Sequence, residues 1–127
     1  MKKKYHIELN GENIGITYFE NADPPMGVVM GEIIFNDSNY GYTNISNYCK
    51  DNNIVVNDDD KENKLIDTQS ISSLKVYNEE GTEIKGEGAC ISGMEEEGFI
   101  IDVFGIPYPF YGEEFKHHRE EYDNKVY

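Results

Sequence analysis

The sequence predicts an α+β protein: a mainly antiparallel β-sheet with a short helix after the third strand and a C-terminal helix packed on it. Three observations carry that expectation. Short segments alternate apolar with polar residues, turn-forming clusters separate them, and only two stretches repeat apolar residues at steps of three and four.

The elements follow in chain order. Tyr5, Ile7 and Leu9 alternate with His6 and Glu8, and beyond the turn dipeptide Asn10-Gly11 the alternation resumes with Ile14, Ile16 and Tyr18, as in a β-hairpin. Asn21-Ala22-Asp23-Pro24-Pro25 interrupts the strands, because neither proline can donate to a ladder. Met26 to Phe35 reads as the third, more buried strand, with Gly27 and Gly31 marking a bulge or a close backbone approach. Tyr42, Ile45, Tyr48 and Cys49 recur at helical spacing opposite Asn44, Asn47, Lys50 and Asp51, so one short helix is expected between Tyr42 and Asn52.

Asn57 to Lys64 contains no apolar residue and is expected to be a solvated loop. Short strands are expected around Leu65 to Thr68 and Leu74 to Tyr77. The latter is expected to turn through Asn78-Glu79-Glu80-Gly81 into Thr82 to Lys85, and Ala89 to Met94 through Glu95-Glu96-Glu97-Gly98 into Phe99 to Phe104. Phe99 to Phe104 is apolar on both faces and reads as a central strand, stopped by Gly105 and Pro107. In the tail, Tyr111, Phe115, His118, Tyr122 and Val126 place one stripe along a terminal helix.

At 127 residues the chain is expected to form a single domain over 1–127, around one core. Its apolar fraction of 38% and aromatic fraction of 13% are those of a folded protein. No apolar run is long enough to cross a bilayer, and the polar residues Glu8, Asn10, Glu12 and Asn13 behind Lys2-Lys3-Lys4 do not make a secretory signal. A cytoplasmic location with Cys49 and Cys90 as free thiols is therefore expected.

Charge is the most informative quantity. The chain carries 25 acidic and 11 basic residues, a net −14, which disfavours nucleic acid and anionic membrane as direct partners. The excess is uneven: Glu79 to Tyr127 holds 13 acidic and 4 basic residues, so −9 of the total lies there. A basic protein is the expected partner. Aromatic contact area ringed by carboxylates suits such a partner, and Glu95, Glu96, Glu97, Tyr108, Tyr111, Glu113 and Glu114 are the expected partner-binding residues.

Signals for chemistry are weaker. Glu114 with His118, and His117 with Glu121, sit one helical turn apart, a spacing open to a metal but equally ordinary on a helix surface, and no metal or cofactor is expected. Asp58, Asp60 and Glu62 alternate like calcium ligands, but Asn63 and Gln69 stand where an EF-hand loop needs glycine and glutamate. Asp102 is the one carboxylate set in an apolar strand, where its pKa would rise. No phosphate loop, nucleophile elbow or zinc helix occurs, so the chain is expected not to be an enzyme.

The acidic balance, the chain length and the blocks Asp23-Pro24-Pro25-Met26-Gly27-Val28-Val29 and Gly105-Ile106-Pro107-Tyr108-Pro109-Phe110-Tyr111 give the chain its character. In that character it resembles the immunity proteins of bacterial contact-dependent inhibition and related polymorphic toxin systems. The resemblance implies binding of a cognate toxin C-terminal domain, commonly a basic nuclease, and neutralisation by occluding its active site or substrate path. A small enzyme, a DNA-mimic inhibitor of a nucleic-acid-binding protein and a housekeeping adaptor are the alternatives.

Overall fold

The computed structural model describes residues 2–126. Strands β1 (Tyr5–Leu9) and β2 (Glu12–Thr17) form the N-terminal hairpin. Asn10 and Gly11 between them have φ of 54° and 80°, the left-handed backbone that a two-residue hairpin turn needs. Strand β3 (Asn21–Asp23), a 3-10 turn over Pro24–Met26, strand β4 (Val28–Glu32) and strand β5 (Ile34–Phe35) follow. Helix α1 (Tyr42–Asp51) comes next, then β6 (Val56–Asp60), β7 (Leu65–Thr68), β8 (Leu74–Tyr77), β9 (Gly88–Met94) and β10 (Gly98–Phe104). Helices α2 (Phe110–Glu114) and α3 (Lys116–Val126) complete the order.

The fold is α+β, but its strands make two antiparallel sheets. A four-stranded sheet runs β5-β2-β1-β8 and a six-stranded sheet runs β3-β4-β10-β9-β7-β6. The shortest crossing between them is β4 to β5: β4 pairs with β10, β5 pairs with β2, and Ile33 between them donates its N–H to the Phe99 carbonyl at 2.8 Å. Gly31 lies against the end of β2 and the Phe19 backbone. A Cβ there would lie 2.3 Å from Thr17 Oγ1 and 2.8 Å from the backbone of Phe19, so only glycine lets the sheets meet.

Inner faces of both sheets supply the core, with Ile7, Ile45, Ile66, Ile91 and Ile101 fully buried in one continuous cluster. Beside it Tyr5, Phe19, Tyr111 and Phe115 pack ring against ring, with Tyr5–Phe19 centroids 5.0 Å and Tyr111–Phe115 centroids 5.2 Å apart. His118 closes this cluster by donating from Nε2 to the Phe19 carbonyl at 2.7 Å. A carbonyl only accepts, so that nitrogen carries a proton.

Several local expectations are corrected. Met26 to Phe35 is not one strand, and α1 follows five strands rather than three. Only the second half of the expected loop Asn57–Lys64 is a turn; its first half belongs to strand β6, because Asp58, Asp59 and Asp60 pair with β7 and Asp59 turns inward to accept hydrogen bonds from the Tyr42 hydroxyl and, at 2.6 Å, from Ser46 Oγ. Thr82 to Lys85 does not extend a hairpin: only a bridge at Glu83 and the bond from Ile84 N to Val76 O reach β8. The terminal helix breaks at Phe115, where φ is −111° and ψ 41°. Its buried stripe ends at His118, and Tyr122 is 40% exposed. Val126's side chain lies outside the described residues.

Helix α1 is held at its start by a residue far away in sequence. Glu95, in the β9–β10 turn, accepts the Tyr42 N–H at 3.0 Å, while Asn44 Oδ1 accepts the Gly41 N–H at 3.0 Å. A carboxylate at a helix N-terminus meets both free N–H groups and the positive end of the helix dipole. Glu95→Ala is expected to cost about 0.5–2 kcal/mol, measured as a lowered denaturant midpoint, with Glu96→Ala in the same turn close to neutral.

Candidate partner-binding face

The residues marked out in the sequence do not form one surface. Glu95, Glu96 and Glu97 are exposed in the turn before β10, whereas Tyr108 and Glu113 follow its far end, and seven extended residues span about 20 Å. Glu95 is also occupied by α1. Tyr108 is 44% exposed, stacks under Arg119 at 5.2 Å and donates to the Pro24 carbonyl at 2.9 Å.

Tyr111 and Glu114 leave the expected face altogether. Tyr111 is 0% exposed and donates to the Val28 carbonyl at 2.9 Å, and burial drives its hydroxyl pKa far upward. Glu114 accepts from Lys3 Nζ at 2.6 Å, Tyr5 Oη at 2.9 Å and Asn78 Nδ2 at 3.0 Å. It ties the first strand and β8 to α2. Glu114 and His118, one of the two pairs whose helical spacing was open to a metal, are engaged elsewhere, Glu114 with Lys3 and His118 with the Phe19 carbonyl.

A different surface gathers the features sought. Strand β10 buries Phe99, Ile101 and Val103 inward, but the opposite side of the same strand is not covered, and Ile100 at its middle is 44% exposed. The register fixes that open face row by row. Asp60, Leu65, Met94 and Gly98 form one row; Asp58, Asp67, Ser92, Ile100 and Glu32 the next; Cys90, Asp102, Met30 and Asn21 a third; Gly88 and Phe104 a fourth. Gly88 leaves room for the Phe104 ring, whose Cζ would lie 2.6 Å from a Cβ there. Half-buried Leu65, Met94, Met30, Cys90 and Phe104 thus surround exposed Ile100 on one side of the sheet.

The charges on these rows are all of one sign. Five carboxylates, Asp58, Asp60, Asp67, Asp102 and Glu32, share them without a lysine, arginine or histidine. Asp58 stands directly opposite Asp67, an arrangement of like charges that destabilises a strand pair. Burial raises the pKa of Asp102, and the charge of Asp67 raises it further. Burial and the same two aspartates push the Cys90 thiol up to about 11, so it stays protonated at neutral pH and is a poor nucleophile. Asp60 differs, since hydrogen bonds from Asn63 hold its carboxyl below the usual range.

One signal for this face was present in the sequence. Phe99 to Phe104 is apolar on both sides, yet Ile100, Asp102 and Phe104 are the side that nothing covers. The chain matches no protein-family model, no curated protein and no solved structure. No described helix is long and apolar enough to cross a membrane. Cys49 and Cys90 are both free thiols, so unfolding without reductant is expected to expose two alkylation sites, read as two mass additions.

Proposed function

We propose that this chain is an immunity-type protein that acts in the cytoplasm by binding a basic toxin domain through the open face of its six-stranded sheet. One observation carries the reading: an uncovered, partly apolar sheet face with five carboxylates and no cationic side chain in its rows. Apolar area around Ile100 supplies contact, and the surrounding charge speeds the encounter with a cationic partner and rejects anionic ones. Neutralisation follows by occlusion: a partner seated on the sheet has its own basic surface covered, which is the surface a nuclease needs for its substrate.

The apolar centre also favours a folded partner surface over a purely electrostatic one. Acidic rows alone would serve a DNA mimic, but such a mimic gains nothing from Met30, Ile100 and Phe104 at the middle of the array.

A trade between stability and binding provides the test. Asp67→Asn together with Asp102→Asn removes an unfavourable pair of charges from the free protein, so its stability is expected to rise by about 0.2–1 kcal/mol. The same change is expected to weaken binding of a basic toxin domain and to reduce protection of cells expressing that domain. Denaturation and binding kinetics should therefore move in opposite senses. Unchanged affinity and protection in the double variant would remove the open face from the function.

A further inference from the structure

Beside Ile100 the open face deepens into a groove of about 470 Å³, within the size range of ordinary ligand pockets. Glycines line it. Gly93 and Gly98 sit diagonally across the β9–β10 pair, so close that a Cβ on Gly93 would lie 2.2 Å from the Gly98 carbonyl oxygen. Their φ angles, 146° and 99°, are ones that other residues rarely adopt. Met30 and Ile100 line the groove as apolar surface.

Its charged lining is entirely acidic: Glu20, Glu32 and Glu97, from three separate segments of chain. Glu20 is fixed in place, because its Oε2 accepts the Glu32 backbone N–H at 3.0 Å. The Glu32 carboxylate hangs over Gly98, with Oε1 3.7 Å from where a Cβ would stand. Carboxylates thus border a narrow space whose lining also offers apolar contact.

We propose that this groove takes one arginine side chain of the basic partner, an inference that rests on the binding role of the open face. A guanidinium presents donors along its edges in one plane and can engage carboxylates on different sides of a slot, whereas an ammonium acts as a single compact charge. The aliphatic stem would lie along Met30 and Ile100. A second copy of this chain is the poorer occupant, since it would bring glutamates against glutamates at −14 per chain.

The test uses the whole protein and small probes: N-acetyl-arginine amide, N-acetyl-lysine amide and the uncharged N-acetyl-citrulline amide, followed by backbone amide shifts in NMR. Arginine amide is expected to shift Gly93 and Gly98 saturably, lysine amide more weakly, and citrulline amide not at all. Glu32→Gln with Glu97→Gln should abolish that response, while Glu120→Gln with Glu121→Gln on α3 should leave it intact, with melting curves confirming that both variants fold. Shifts that are linear, spread over every acidic surface and equal for lysine and arginine would overturn the proposal. Its failure is separable from that of the wider reading. A basic domain that binds the sheet although the probes find no groove site removes only the arginine anchor. A saturable arginine site with no binding of a basic domain removes only the toxin-binding role.

Discussion

Phe115→Ala is expected to lower folding stability by about 3–5 kcal/mol. Phe115 is 0% exposed and lies 5.5 Å from Tyr5, 5.9 Å from Phe19 and 5.2 Å from Tyr111, centroid to centroid. It is also the residue at which α2 ends and α3 begins, so its ring fixes the direction of both helices. Removing it leaves a cavity that three large aromatic rings cannot close without moving β1. Urea denaturation should show a lower midpoint with little change in slope. Tyr122→Ala is the control: at 40% exposure it should stay within about 0.5 kcal/mol of the parent. Equal midpoints for the two variants would mean that the C-terminal helices contribute no packing to the fold.

Glu114→Gln is expected to weaken the protein at neutral pH by about 1–3 kcal/mol and to blunt its sensitivity to acid. The Glu114 side chain is only 9% exposed, and its carboxylate collects three donors from two separate parts of the chain, Lys3 and Tyr5 at the N-terminus and Asn78 after β8. Burial alone would push its pKa up, but the hydrogen bonds from Lys3, Asn78 and Tyr5 outweigh that and leave it below the ordinary value. A carboxyl group whose pKa is lower folded than unfolded adds stability above its unfolded pKa of about 4.3 and loses it as pH falls through the folded value. Wild type should therefore lose stability below that unfolded value more steeply than the Gln variant. Lys3 is 45% exposed and can be hydrated when its partner goes, which keeps the loss moderate. Parallel acid limbs in urea titrations down to about pH 3 would assign the acid sensitivity to other carboxylates.

What could be read from the sequence was whatever neighbouring residues decide. The hairpin around Asn10-Gly11 and the inward set Tyr5, Ile7 and Leu9 follow from alternation and one turn dipeptide. The antiparallel α+β class follows from many such segments. Partnerships across long separations were not legible. Glu114 and Tyr111 look like the acidic and aromatic parts of a surface until Lys3, Tyr5 and Val28 arrive from the other end of the chain. Asp59 looks like one of several solvated aspartates until α1 presents Tyr42 and Ser46 to it.

The same limit applied to the candidate site. Alternation along Phe99 to Phe104 shows that both sides are apolar, but only the arrangement of layers shows which side is left bare. The row Asp58, Asp67, Ser92, Ile100, Glu32 draws on five strands and has no trace in local sequence. Net charge placed the acidic excess in Glu79 to Tyr127, whereas four of the five carboxylates on the open face, Glu32, Asp58, Asp60 and Asp67, come from before it and are gathered only by the register.

The strand order β3-β4-β10-β9-β7-β6 has a consequence for how the chain is made. As it leaves the ribosome, β3 and β4 can pair with each other, and β6 and β7 can later pair as well, but no strand yet joins the two ribbons. The piece that joins them is β10, residues Gly98–Phe104, which emerges last of all the strands and inserts between β4 and β9. Until then both ribbons carry unpaired edges, the kind of edge that recruits other chains. A nascent chain from which β10 has not yet emerged thus holds two ribbons with nothing between them, and ribosome-bound lengths that keep β10 inside the exit tunnel or bring it out should differ sharply in protease resistance.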